Sequence, residues 1–524
     1  MNAILTTFLH AVPTNGDGTQ PHHFAEENRI NWANAGLLPN TPQTAATILE
    51  INKMPGNNDT ERVLNGIKKA RSEPKPVMLY FPSGTYKITK QIILTYLDSG
   101  LIFQGDGAMK TQIEMQVGSQ NSGFRLDGRT VGDPVLLTRD VEKGQDKIKE
   151  ELKDHFTEGD WVRLCEENFN DGYHENGDTS GRYVGQITRI VSINSKSLTL
   201  KDAATKTYKV SNKLWLQKIE PITNIGFENL KFYRKDGKTG DSGDGNNFRL
   251  GIAVNCWFKG INSELASRHH LNVQCSAHIL VRGCYLHRAR KYDVGSFGCG
   301  VVLGSSTSNC LIENNIFRRL RHAMLLGTGA NSNVFTYNYS TEQHATLHGF
   351  PYWDSDLNLH GRYPFANLFE HNDVTFIETD NTHGNNGPFN TYVRNKVRGF
   401  RFNLNAKIAL NNTPDVNLIG NESARFGKDF ISTGSSSNVA TNIYGIVEGN
   451  VISHKEAYRN RKIHDGAENT IASCFYTARP EFLAENYSWP TMGPGSLSKN
   501  IPAVDRYKEK DRTWSDFITQ KPPD

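Results

Sequence analysis

Along the middle of the chain, paired aliphatic or aromatic residues recur, each followed a few positions later by a polar residue that is nearly always asparagine. Seven segments stack in this way: ILVRGC, LIENN, VFTYN, LFEHN, TYVRN, NLIGN and IVEGN. Their column residues are Cys284, Asn315, Asn338, Asn372, Asn395, Asn421 and Asn450, at successive spacings of 31, 23, 34, 23, 26 and 29. Each unit is a β-branched or aromatic run, a polar turn and a second short run, with no sustained helical period. A repeat of this length made of strand-like runs predicts a solenoid, and the β-rich unit predicts a parallel β-helix rather than stacked helices. Each coil would then lie about 4.8 Å above the last, so residues at one offset form a row along the axis. Asparagine suits such a row because its amide both donates and accepts and because it tolerates a left-handed bend. Two further coils are expected upstream, with Asn229 and Asn262 in the column, so that the repeat runs from about Ile222 to Ile452.

Before the repeat, DTERVLNGIKKARSE reads as a short amphipathic helix, N-capped by Asp59 or Thr60, with Val63, Leu64, Ile67 and Ala70 on one face. Placed ahead of the first coils, it would cover the open end of the solenoid, where unpaired strand edges invite aggregation. The runs YFPSGTYKI and LIFQGDGAMKTQIEM follow. Residues Asp59 to Ile113 resemble the entry segment of the pectate-lyase-like superfamily. That resemblance implies a single-stranded right-handed parallel β-helix of the all-β class, and activity on polysaccharides as lyase, hydrolase or epimerase, or as a phage tailspike. The calcium and arginine signatures of pectate lyases are not recognisable, and the NTD, DD, GHG, RIK order of polygalacturonases is absent; LHG and THG are partial echoes.

Between Pro134 and Leu216 the repeat is lost, and FTEGDWVRL, YVGQITRIVSI and KSLTLKDA read as short strands of a β-rich insertion. The predicted organisation is a cap with the first coils (1–133), the insertion (134–216), the main helix carrying the site (217–455) and a C-terminal segment wrapping the last coil (456–524). The Gly/Asp-rich loop at 236–247 could hold Ca2+, but its spacing matches no calcium motif and it reads as a solvated loop. No cofactor is indicated.

Of the 524 residues 37% are hydrophobic, enough for an elongated core, and no stretch approaches the length of a membrane span. Seven cysteines without CxxC spacing suggest neither a zinc site nor a disulfide framework. A net charge of +4 permits an anionic substrate and argues against nucleic acid, which needs a concentrated basic stripe. The start, MNAILTTFLHAVPTNG, lacks a positive first region and a long apolar one, so it is not read as a signal peptide. A secreted or periplasmic protein with a polysaccharide substrate is nevertheless expected.

The chemistry concentrates between His344 and Arg398. HGRYPFANLFEHN and HGNNGPFNTYVRN each place an HG pair twelve residues before the column, which makes His360 and His383 neighbours. The same alignment puts Asn358 beside Asn381, and Arg362 beside Asn385. In SDLNLHGR, alternation turns Leu357 and Leu359 inward and Asp356, Asn358 and His360 outward. The alignment also opposes Leu357 with Asp380, which would bury a carboxylate unless the second coil bulges. His344, His348, Tyr352 and Trp353 fall in an eleven-residue extension read as a groove wall, its aromatics placed to stack on sugar rings. Arg318, Arg319, Arg321 and His322 form a basic run one coil earlier, from which Arg318 and Arg321 are candidate substrate contacts.

Two reactions use these residues. In β-elimination, His360 or His383 removes a uronate C5 proton, Tyr363 donates to the leaving oxygen, Arg362 neutralises the substrate carboxylate, and Asp356 completes the group. In glycoside hydrolysis two carboxylates flank the bond, drawn from Asp354, Asp356, Glu378 and Asp380. A tailspike-like protein that binds glycan without turnover is a third possibility. The lyase reading is preferred because it uses the histidines, the arginine and the basic balance together.

Overall fold

The computed structural model describes residues 30–167, 184–236, 245–293, 297–352, 354–399, 408–411, 413–423 and 472–493, with 295, 431–433, 447–448, 463–464, 496–497, 500–510 and 512–513. Short strands alternate with bends and wind through three long parallel sheets, and the described residues include only two α-helices, Asp59–Ala70 and Pro502–Glu509. The fold is the parallel β-helix anticipated from the repeat, right-handed as the resemblance implied. On the first sheet Leu280, Leu311, Val334, Leu368 and Thr391 are consecutive partners, as the repeat requires. Inward residues at one offset stack along the axis: Phe103, Phe227 and Phe258 lie with ring centroids 4.8 and 5.2 Å apart. Phe335, Phe369 and Tyr392 continue the column at 5.4 and 5.0 Å.

The asparagine row is a buried hydrogen-bond ladder. Nδ2 of Asn315, Asn338, Asn372 and Asn395 each donates to Oδ1 of the next member, at 3.0, 3.0, 3.0 and 2.9 Å, ending at Asn421. Each also donates to a backbone carbonyl one coil back, so that both amide hydrogens are used. A second ladder, Asn333, Asn367 and Asn390, precedes the same sheet and had no counterpart in the sequence alignment. The left-handed residue is not the ladder asparagine but the one before it, as at Asn314, Tyr337, His371 and Arg394. Upstream the column shifts: the strand register puts Leu230 and Ile261, both buried, in line with Cys284. Asn229 instead takes the left-handed position with φ 56°, and Asn262 begins the next strand beside Tyr285. Asn450 lies outside the described residues.

The helix Asp59–Ala70 is capped by Asn58, whose side chain accepts from the Glu61 N–H, rather than by Asp59 or Thr60. It buries Val63, Ile67 and Ala70 against the first coil, while Leu64 turns outward. An antiparallel six-stranded sheet spans Arg129 to Glu220, with its own apolar core, between a third-sheet strand, Phe124–Asp127, and a first-sheet strand, Gly226–Glu228. It leans on the turns that follow the third sheet, through Arg163 Nη2 to Ser306 Oγ at 3.0 Å and Asn331 Nδ2 to the Gly185 carbonyl at 2.7 Å. The described residues between 472 and 510 lie along the flank of the coils, where Ser473 and the Cys474 N–H bond Glu370 and Arg506 bonds Asn314.

Candidate functional site

The site sits on the outer face of the third sheet. Its strands His269–Gln274, Cys299–Gly304, His322–Leu326, Leu357–Leu359 and Ile377–Thr379 pair in that order. Leu357, Leu359, Ile377 and Thr379 are fully buried, which sends Asn358 and His360, and likewise Glu378 and Asp380, to the opposite face. Leu357 pairs with Ile377, twenty positions on, whereas Leu368 on the first sheet pairs with Thr391, twenty-three on. The three surplus residues, Asn381–Thr382–His383, sit in the turn after the strand. Asp380 is therefore the strand neighbour of His360, and the feared contact between Leu357 and Asp380 does not arise.

That turn carries His383 back over His360, with ring centroids 4.5 Å apart and planes at 81°. His360 Nδ1 lies 2.6 Å from Asp380 Oδ2, and Asp380 Oδ1 accepts from the Thr382 N–H at 2.9 Å. The HG pairs have a steric cause. Gly361 has φ 75°, and a Cβ there would stand 2.5 Å from the Gly384 carbonyl oxygen and 2.8 Å from the His383 carbonyl carbon. Only glycine lets the two turns approach so closely. Burial acts to raise the Asp380 carboxyl, but the His360 hydrogen bond and charge, with Thr382, outweigh it and hold the group at about 2. On the other side His322 lies 6.1 Å from His360; burial, partly offset by Asp354, pushes its imidazole down to about 4.

Several expected members lie elsewhere. Asp356 is 1% exposed at the corner before its strand, where its carboxylate accepts from the Thr375 N–H at 2.6 Å, so alternation does not extend to it. Tyr363 follows Arg362 in a left-handed pair, φ 54° and 63°, which turns its ring toward Phe365 and Lys206 of the insertion. Burial raises its phenol, which disqualifies it further as a proton donor. Arg318 belongs to the second sheet and pairs with Glu342 at 2.8 Å. Asn358 is buried against Ser355 beside Glu378, not Asn381, and Asn381 is exposed in the added turn. Arg321 and Asp354 pair with each other at 2.7 Å at the sheet's leading edge. In the extension, Ala345–Leu347 and Phe350–Tyr352 form an antiparallel hairpin with His348 exposed in its turn. His344 packs edge-on against Tyr292 at 4.5 Å, and Phe350 and Tyr352 project into solvent. Trp353 lies outside the described residues, as does most of the loop considered for Ca2+, at 237–244.

His360, Arg362 and His383 line a groove of about 430 Å3 with residues from earlier coils that sequence reasoning missed: Arg268, His269, Asn272, Gln274 and Thr328. The signal for all but Thr328 was the alternation in RHHLNVQ, a strand three coils before His360. Two guanidinium groups thus share one trough with two adjacent imidazoles, an arrangement suited to an anion and to proton transfer. Among the described residues no group of three or more His, Cys, Asp or Glu side chains converges as metal ligands would.

No family model matches the chain, and no curated protein matches it. Among solved structures, the tailspike of Pseudomonas phage phi297 aligns over 75% of this chain and 62% of its own, with TM-score 0.57 and 13% identity. The chain thus spans less than two thirds of that tailspike's length. The tailspike of Acinetobacter baumannii bacteriophage AP22, solved in complex with a capsular saccharide, covers 80% and 77%, with TM-score 0.51 and 13% identity. The tailspike of Pseudomonas phage LKA1 covers 75% and 63%, at 0.50 and 14%. At these identities the likeness is one of architecture, and it identifies the chain as a right-handed parallel β-helix protein.

Proposed function

We propose that the protein acts on an acidic, uronate-containing polysaccharide outside the cell, secreted or periplasmic, and cleaves it by β-elimination. The observation that carries this reading is the His360–Asp380 pair beside His383 in a groove that also holds Arg268 and Arg362. With Nδ1–H donated to Asp380, His360 presents Nε2 as the acceptor for the weakly acidic C5 proton. Removing that proton develops charge on the uronate carboxylate, and Arg362 neutralises it; one preorganised donor of this kind contributes roughly 3 to 4 kcal/mol. The C4–O bond then breaks as the C4–C5 double bond forms. His383 takes the place expected of Tyr363 and protonates the departing oxygen.

Hydrolysis by two carboxylates is less well supported. Asp354 is paired with Arg321, Asp356 is buried at a corner, and Asp380 is held ionised by His360, so that of the four candidates only Glu378 is left to serve as the general acid. Binding without turnover keeps its support from the tailspike-like architecture. The deciding experiment digests a panel of acidic polysaccharides and follows both the ultraviolet absorbance of the unsaturated uronate and the release of reducing ends. Both should rise together. Reducing ends without absorbance would move the chemistry to the carboxylates, and retained binding with neither signal would make this a glycan-binding protein.

A further inference from the structure

In the turn that leaves the third sheet, the His360 coil carries one residue more than the two coils before it. Continuing the strand register aligns Gly304, Gly327 and His360, and the next bridges align Ser308, Asn331 and Phe365. Phe365 thus follows His360 by five positions, whereas Asn331 follows Gly327, and Ser308 follows Gly304, by four. The shorter turns each hold two left-handed residues, Ser305 with Ser306 and Thr328 with Gly329. The longer one holds three, Gly361, Arg362 and Tyr363, with φ 75°, 54° and 63°. Bulky residues seldom adopt this conformation, and two in succession persist only where their surroundings fix them. Tyr363 also precedes Pro364, a place where the backbone is ordinarily extended. Backbone bonds set Arg362 beside Thr328 and Tyr363 beside Gly329: the Thr328 and Gly329 N–H groups donate to the Gly361 and Arg362 carbonyls at 3.3 and 2.7 Å. The first of the paired positions faces the groove, which Thr328 and Arg362 both line. The second faces the insertion, where Ser306 Oγ accepts from Arg163 Nη2 at 3.0 Å.

On that side the Tyr363 ring has a fitted seat. Val184 of the insertion packs with Phe365 and Ala366 beside it, and Lys206, tied to Glu166 at 2.7 Å, stands 6.0 Å from the ring centroid. Across from them lies Gly387 of the next coil, where a Cβ would come within 2.9 Å of the ring carbons Cδ1 and Cε1. Only glycine leaves the ring that room. None of the described residues lining the groove belongs to the insertion. We propose that Tyr363 is a positioning residue: seated against the insertion, it fixes the lengthened turn and so holds the Arg362 guanidinium in the groove. The insertion thereby takes part in a site that it does not line. This rests on the reading of Arg362 as the cation that meets the substrate carboxylate. The added residue makes the anchor necessary, because it gives this turn slack that the four-step turns lack.

The test is a double-mutant cycle of Tyr363→Ala with Arg362→Gln, read as kcat and KM on the polysaccharide that wild type depolymerises. Thermal unfolding verifies that each variant is folded. Tyr363→Phe keeps the ring and should stay within about twofold of wild type, whereas Tyr363→Ala should lose about tenfold or more in kcat. With glutamine at 362 the same Tyr363→Ala change should cost less than about twofold, because its effect passes through the guanidinium. Val184→Ala loosens the seat from the insertion's side; it should repeat this pattern at about threefold, and it stands in if Tyr363→Ala does not fold. Equal losses in both backgrounds, or wild-type kcat in folded Tyr363→Ala, would overturn the proposal. A crystal structure of Tyr363→Ala reads the same point without substrate: Arg362 should have left its place in the groove, and an unmoved Arg362 would overturn the positioning. A displaced Arg362 in a protein whose wild type forms no unsaturated product would refute the lyase reading and leave the positioning standing.

Discussion

His360 and Asp380 are strand neighbours whose Nδ1 and Oδ2 atoms lie 2.6 Å apart, although the motif that marks the two coils is spaced by twenty-three residues and not twenty. The short offset gives His360 a carboxylate that fixes its tautomer and orientation. Asp380→Asn keeps the size of the side chain but removes the charge and lets the amide donate where the carboxylate accepted. We expect kcat on the preferred polysaccharide to fall on the order of 10²-fold, the lower range for a misaligned general base, with KM little changed. Steady-state kinetics at neutral pH measure this.

The same carboxyl makes stability depend on acid. Its folded-state value of about 2 lies below the ordinary 3.8, so as the pH falls the unfolded chain takes up the proton first. The stabilisation is complete above about pH 4 and is gone below about pH 2, and its size is roughly 2 kcal/mol. Thermal unfolding between these limits should show wild type losing that increment, while Asp380→Asn loses correspondingly less. Parallel pH profiles for the two proteins would contradict the pairing.

Asn372 sits in mid-ladder, where its Oδ1 accepts from both the backbone and the side chain of Asn338 and its Nδ2 reaches the Phe335 carbonyl and Asn395. Asn372→Ala takes this partner from the Asn338 N–H, Asn338 Nδ2 and the Phe335 carbonyl, all on the preceding coil, at about 1 to 3 kcal/mol for each group left unmet, while Asn395 Oδ1 keeps the backbone N–H of residue 372. Denaturant unfolding should register a loss of about 3 kcal/mol or more. Changing exposed Asn381 in the same way should leave the midpoint where it was.

The β-helix was legible because its repeat is written in types that only one geometry satisfies: an apolar pair pointing inward and an amide that must bond above and below. The proximity of the two histidines was legible through the HG pairs, whose glycines allow one turn to press on the next. What escaped was decided locally. Turn length varies between coils, so aligning on Asn372 and Asn395 misjudged the strand partner of His360 by three residues. Backbone sign overrode alternation at Tyr363, where two successive left-handed residues swing the ring out of the groove. Asp356 lies at a corner where strand periodicity has ended. Arg268 and Gln274 escaped because their coil lacks the HG pair, so nothing in the motif tied it to a site three windings away.

The most direct measurement compares wild type with His360→Ala and His383→Ala, following the ultraviolet absorbance of unsaturated uronate on the polysaccharide that wild type depolymerises. A positioned acid or base is worth roughly 10² to 10⁴ in rate. Each variant should lose at least the lower figure while still unfolding cooperatively, His383→Ala within a degree or two of wild type and His360→Ala at a lower midpoint because it also takes the partner of Asp380. Wild-type rates in either folded variant would remove that histidine from proton transfer and contradict the groove chemistry proposed here.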